Sequence, residues 1–292
     1  MSPRILVPLD GSETAETILP YVWALLPRVD AELVLLRAVH PPTATMNGFF
    51  PILSASEESA RAYLLGIREP FVRAGVSVRV VTRLEGALPS ILEEAHHAEA
   101  SLIAMATHGR TGLSHLLLGG VCEGVLRESR TPVLAVRPFR PPSLRHADPR
   151  RGPLFRNVLV PLDTSGSSLS ILPIACAFAK QFDARLVFLH VLDPRKAALA
   201  AIGAPDRDRA REEAPPLETA AQHCALEGVR SRIVVDSGRV ADRILSLCRS
   251  EDIDLVAMTT HGRSSLSRFL FGSVSGSVLG RAEVPLLLCR EP

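Results

Sequence analysis

The chain has 292 residues, 47% hydrophobic and 22% charged, a balance that fits a soluble folded protein and excludes a disordered one, with length for two ordinary domains. Its 33 basic and 31 acidic side chains leave a formal charge of only +2, which gives no electrostatic footprint for a nucleic acid or a membrane surface. Lysine occurs only at Lys180 and Lys196, so no Gly-Lys-Ser/Thr exists and a Walker P-loop is excluded.

The opening MSPRILVPLD runs straight into a strand-like apolar stretch with no signal-peptide core. No uninterrupted apolar run approaches the roughly 18 residues of a membrane helix, so a cytoplasmic, unanchored protein is expected. Short apolar runs at Ile5–Leu9, Leu33–Val39, Val76–Val81, Leu102–Ala106 and Val133–Val136 read as strands, and stretches of helical period at Ser12–Leu26, Glu57–Ala74, Leu88–Ala95 and Gly120–Glu128 alternate with them. Strands that are apolar on both faces imply a parallel sheet between helix layers, an α/β fold. Trp23, with Leu19 and Leu26 at helical spacing, reads as core packing of the first helix.

The order then repeats, with strands near 158–162, 185–191, 231–236, 254–258 and 285–289. Asp10 in RILVPLDGS matches Asp163 in NVLVPLDTS, and Pro132 matches Pro285, each pair 153 residues apart. MATHGRTGLSHLLLGG at 105–120 and MTTHGRSSLSRFLFGS at 258–273 share nine of sixteen letters at the same separation. Between the copies, the segment from 137 to 156 holds five prolines and six arginines and reads as a solvated linker. The expected organisation is a domain over 1–140, a linker over 141–154 and a domain over 155–292. Residues 40–56 and 193–216 read as irregular loops, with binding lids and plain mobile loops both open.

Five cysteines at 122, 176, 224, 248 and 289 are odd in number and lack metal-ligand spacing, so buried thiols rather than a disulfide framework or zinc site are expected.

The doubled stretch starts at the carboxyl end of the fourth strand and leads through a glycine-bearing loop into a helix beginning at Gly119-Gly120 or Gly272-Ser273. Ligands of open parallel sheets collect at that end, where the winding reverses. Glycine lets the backbone approach a phosphate closely, and the helix start adds unpaired N–H groups and a positive dipole end. Asp10 and Asp163 border the same crevice, where a carboxylate suits ribose hydroxyls or a divalent cation, or orders the next helix start. His108 and His261 invite a general acid/base role, but no nucleophile pairs with them; loop histidines are commonly structural. His96-His97 point about 100° apart on a helix and read as a solvated helix end. Arg110 and Arg263, just past the loop glycine, suit a phosphate or the open surface.

VPLDGS and VPLDTS, the two THGR loops and the terminal Pro-strands together resemble the universal stress proteins in their tandem two-domain form. The resemblance implies two Rossmann-like (adenine nucleotide alpha hydrolase-like) domains, each a five-stranded parallel sheet flanked by helices. The nucleotide-binding branch of that family carries G-x2-G-x9-G-(S/T). Copy one reads Ala106, Gly109, Gly119, Gly120 at those positions, and copy two reads Thr259, Gly262, Gly272, Ser273. The departures are at 106, 259 and 120, which makes copy two the stronger site.

Carried over, the family pattern implies that Asp10 and Asp163 face the ribose or a metal and that main-chain groups around Ala38 and Val191 read the adenine edge. Gly109, Gly119 and Gly120 would line the phosphates in copy one, and Gly262, Gly272 and Ser273 in copy two. The expected ligand is ATP, with Mg²⁺ as its companion cation. The expected role is a nucleotide-dependent sensor or regulator of a stress response, not an enzyme, with no catalytic or metal residues. A homo-oligomer, a dimer, or another protein partner is expected, with no nucleic acid and no membrane. The alternative is a nucleotide-free interaction scaffold on the same fold.

Overall fold

The computed structural model describes residues 2–39, 49–108, 119–138, 155–163, 166–192, 215–260 and 272–290. The chain divides into two units, Met1–Pro149 and Arg150–Pro292.

In unit one the strands are β1 (Arg4–Pro8), β2 (Glu32–Ala38), β3 (Val78–Arg83), β4 (Leu102–Ala106) and β5 (Val133–Val136). They lie in the order β3-β2-β1-β4-β5 and pair in parallel, with Ile5 opposite both Leu33 and Leu102. Leu6, Val7, Leu33, Val34, Ile103 and Leu134 are fully buried, as strands covered by helices on both faces must be. The winding reverses between β1 and β4, which fixes the crevice at their carboxyl ends.

The helices are α1 (Glu13–Glu16), α2 (Leu19–Val29), α3 (Phe49–Arg73), α4 (Ala87–His97) and α5 (Gly120–Glu128). The sequence suggests a single helix over Ser12–Leu26; the structure breaks it at Thr17 and Ile18. Pro20 has no N–H to donate and its ring would strike the carbonyl of Glu16 in a continuous helix, whereas the first turn of a new helix accepts it. α3 begins at Phe49, inside the stretch expected to be irregular.

Unit two repeats the plan with β6 (Asn157–Pro161), α6 (Gly166–Leu169), α7 (Leu172–Phe182), β7 (Arg185–Leu192), α8 (Pro215–Leu226), β8 (Ser231–Ser237), α9 (Val240–Ser250), β9 (Leu255–Thr259), α10 (Ser273–Arg281) and β10 (Leu286–Cys289). Its strand order is β10-β9-β6-β7-β8, and β6 pairs in parallel with β7 and β9. Phe155 packs edge-on against Phe178 and Phe182, with ring centroids 5.1 and 5.3 Å away. α8 begins at Pro215, at the edge of the expected loop.

One expectation is overturned: Cys176 on α7 and Cys224 on α8 form a disulfide. Forty-eight residues separate them, so no local spacing signals the pair. The packing of α7 beside α8 creates it.

Among the described residues of unit one the best-buried charge is Glu94 on α4, 2% exposed. Arg83 Nη2 donates to its Oε2 at 2.7 Å, and Arg79 Nη1 lies 3.0 Å from Oε1. The hydrogen bond that Arg83 donates to Glu94, together with the Glu94 charge, holds the Arg83 guanidinium above its ordinary value against the opposing effect of burial. Both arginines remain partly solvated, so the clamp is worth less than a fully buried pair. Glu94→Ala is expected to lower unfolding free energy by about 2 kcal/mol in urea denaturation; an unchanged midpoint would show the clamp to be ornamental.

Candidate functional site

The sheet end expected to hold a ligand is shaped in both units by one contact between a helix start and a strand end. The Gly119 N–H donates to the Thr107 carbonyl at 2.9 Å, and the Gly272 N–H to the Thr260 carbonyl at 3.1 Å. A Cβ on Gly119 would sit 2.8 Å from the Thr107 oxygen, while one on Gly120 would meet nothing within 4 Å. Gly119 is therefore required by close approach, and Gly120 is not. α5 and α10 both begin without a side-chain cap, so their first amides have no capping oxygen and face the crevice end of the helix.

In unit two Asp163, Val191, Gly272 and Ser273, four of the positions singled out in the sequence, line a single cavity of about 240 Å³. The volume lies a little under the roughly 300–1,000 Å³ of pockets that enclose a whole small-molecule ligand, so the described walls suit part of a nucleotide. Ser168, Thr259, Thr260 and Ser275 complete a hydroxyl-bearing lining, with Leu162, Leu189, Val240 and Met258 as apolar wall. Ser168 Oγ accepts the Asp163 N–H at 3.2 Å. Ser275 Oγ donates to the Thr260 carbonyl at 2.8 Å, with the Gly272 carbonyl also in reach at 3.0 Å. Among the described lining residues Asp163 alone carries a full charge.

Unit one places different chemistry at the same positions. Counterparts of Ser168, Thr259, Thr260, Ser273 and Ser275 are Ala15, Ala106, Thr107, Gly120 and Cys122, so four hydroxyls of five are lost. Asp10 Oδ1 accepts from the Ser12 N–H at 2.9 Å and from its hydroxyl at 2.6 Å, and Ser12 Oγ caps α1 by accepting the Ala15 N–H. The cap itself is Ser12, and Asp10 orders it.

Gly11 has φ +82°, and a Cβ there would press on the Arg37 guanidinium at 3.0 Å. That guanidinium lies 4.8 Å from the centre of the Tyr63 ring, whose hydroxyl donates to Glu16 at 2.8 Å. Burial, then this bond to Glu16, raises the Tyr63 phenol well above its usual value. The counterpart of Arg37 is His190, buried with Nδ1 2.9 Å from the Leu162 carbonyl oxygen. Ala38 closes β2 opposite Arg83.

Gly109, Gly262, His261, Arg110 and Arg263 lie outside the described residues. His108 Nδ1 shares a hydrogen bond with Thr107 Oγ1 at 2.9 Å, a contact between sequence neighbours. His96 and His97 occupy the last turn of α4, and among the described residues no group of three His, Cys, Asp or Glu could hold a metal ion. Nor is any described helix long and apolar enough to cross a membrane. Trp23 stacks on Phe71. Ser168, Thr260 and Ser275 escaped the sequence reading; a position-by-position comparison of the two copies, hydroxyl against Ala15 and Cys122, would have found Ser168 and Ser275.

Burial raises the Cys122 thiol to about 12, helped by the Glu123 charge. The Cys248 thiol is likewise pushed up to about 12 and that of Cys289 to about 11 by burial. These three are protonated at neutral pH and poor nucleophiles.

A model of the universal stress protein family matches residues 1–137 and again 154–290. Universal stress protein Rv2005c of Mycobacterium tuberculosis is 28% identical over 212 residues, 70% of this chain and 66% of that protein. Universal stress protein MJ0531 of Methanocaldococcus jannaschii is 27% identical over 146 residues, 48% of this chain and 84% of that protein. The crystal structure of a universal stress protein from Archaeoglobus fulgidus superposes over 100% of both chains with a TM-score of 0.77 at 23% identity, which is a likeness of fold.

Two neighbouring glycines should respond oppositely. Gly119→Ala is expected to destabilise unit one by about 1–3 kcal/mol through overlap with the Thr107 carbonyl, and Gly120→Ser to stay within about 0.5 kcal/mol; urea titration of both reads the contrast. At pH 7, iodoacetamide should modify Cys122 roughly a thousandfold more slowly in the folded chain than in urea, because the thiolate fraction falls with the raised pKa. Equal rates would show that the thiol is not buried as described.

Proposed function

This chain belongs to the universal stress protein family, with one family domain in each half, and from that premise we propose that it is an ATP-binding sensor or regulator whose nucleotide site is the unit-two cavity. The observation that carries the reading is the hydroxyl-rich lining around a helix start, present in unit two and largely missing from the matching positions of unit one.

In this reading the amides at the start of α10 and the Ser273 hydroxyl receive phosphate oxygens, since a helix N-terminus offers both donors and a positive dipole end. Asp163 takes the ribose hydroxyls, and the main chain at Val191, near the carboxyl end of β7, meets the adenine edge. Gly262, at the second motif position, belongs to the same phosphate loop. A Mg²⁺ ion bound with ATP would supply positive charge to offset both the phosphates and Asp163. In this reading occupancy rather than turnover is the signal.

For unit one the same comparison favours the nucleotide-free reading. Asp10, Ala38, Gly119 and Gly120 keep the backbone plan, with Gly109 at the second motif position of the sequence, but Ala15, Ala106 and Cys122 offer a ligand no hydroxyl. Unit one then serves as an interaction half for a protein partner or a second copy of the chain.

Calorimetric titration with ATP and Mg²⁺, with mass spectrometry of any co-purifying nucleotide, tests the proposal. One site per chain is expected, weakened about tenfold or more by Ser273→Ala through loss of a charge-assisted hydrogen bond, with Gly120→Ala leaving the stoichiometry unchanged. No heat and no bound nucleotide would leave the scaffold reading for both units.

A further inference from the structure

In each unit the helix after the first strand meets the helix after the second at one junction, and the two junctions are closed by different chemistry. In unit one Trp23 on α2 stacks on Phe71 on α3, with ring centroids 4.0 Å apart and planes 10° from parallel. In unit two the corresponding residues, each 153 positions later, are Cys176 on α7 and Cys224 on α8. The backbone supports the correspondence. The Val76 N–H donates to the Phe71 carbonyl at 3.0 Å and the Val229 N–H to the Cys224 carbonyl at 2.8 Å, and α2 and α7 both end in a left-handed aspartate, Asp30 at φ 41° and Asp183 at φ 51°.

The Cα atoms of Cys176 and Cys224 are 6.1 Å apart, within the span of a disulfide, and the residues are 5% and 0% exposed. An aromatic pair closes the same junction in unit one without any covalent bond, so the fold does not demand one. Two thiols bury far less apolar surface than a tryptophan and a phenylalanine. Reduced, the pair holds α8 on α7 weakly; oxidised, it ties off a loop of 48 residues and constrains the unfolded chain.

We propose that Cys176 and Cys224 form a reversible redox clasp that makes the stability of unit two, and not of unit one, depend on the thiol–disulfide poise of its surroundings. The partner oxidant is a low-molecular-weight disulfide of the glutathione class. One protein thiolate attacks a sulfur of that disulfide and expels a small thiolate, which takes up a proton. The second protein thiol loses its proton and attacks the mixed disulfide, releasing the second small thiol. Two protein thiols lose two electrons and two protons, and one small disulfide becomes two thiols. Because both sulfurs are buried, exchange proceeds when α8 opens locally from α7.

The full chain, equilibrated in glutathione buffers from fully reduced to fully oxidised, quenched in acid, denatured and alkylated with N-ethylmaleimide, gives the test by intact mass. Five labels are expected at the reduced end and three at the oxidised end, on Cys122, Cys248 and Cys289, with a crossover inside the series and a linked peptide joining Cys176 to Cys224. Thermal unfolding should show one transition falling by about 10 °C on reduction, a shift abolished in the Cys176→Ala/Cys224→Ala variant. Five labels at every ratio would overturn the clasp. Three labels at every ratio would make the bond a permanent staple and overturn its reversibility. An unchanged transition would overturn its effect on stability.

Discussion

The candidate site depends on one backbone hydrogen bond made twice, from the amide that opens a helix to the carbonyl just past the end of a strand: Gly119 to Thr107 and Gly272 to Thr260. In a parallel sheet the crevice at the winding reversal is given by topology, but topology does not say how close the next helix comes. These bonds set that distance. They bring the first amides of α5 and α10 to the sheet edge, and in unit two they carry Ser273 and Ser275 into the same wall as Asp163. The tightness behind Gly119 explains why unit one keeps a glycine there, whether or not a phosphate ever arrives.

Two copies of one backbone plan therefore differ in side-chain chemistry. Around the unit-two cavity, hydroxyls from three separate elements or their flanks converge. Around the first turn of unit one, Arg37 spans Gly11 and Tyr63, with Glu16 on the phenol. That network spends polar groups on holding α1 and α3 to the sheet, where His190 in unit two needs a single carbonyl.

The central strands are legible because Leu33–Leu36 and Leu102–Ala106 are apolar at every position, as burial on both faces requires. The edge strand was less so: Val76–Val81 was expected and β3 runs Val78–Arg83, since with one neighbour the alternation of exposed and covered residues blurs the limits. The first helix was read through Pro20 because its apolar period continues on both sides of the break. Asp163, Gly272 and Ser273 stood out through motif spacing. Ser168 and Thr260 did not, because a lone hydroxyl has no period, and its meaning comes from which other elements it faces. The pairing of Cys176 with Cys224 was missed for the same reason: it is a property of helix packing, with nothing local to mark it.

A polypeptide that contains the same fold twice faces a hazard during synthesis, when a helix from one half can dock on the other half's sheet. The unlike junctions oppose such an exchange. An α8 laid against α2 would set Cys224 opposite the Trp23 ring, leaving a gap where Phe71 belongs, and an α3 laid against α7 would drive the Phe71 ring onto Cys176. Neither hybrid packs well, so the divergence of this one contact helps each half to recover its own partner.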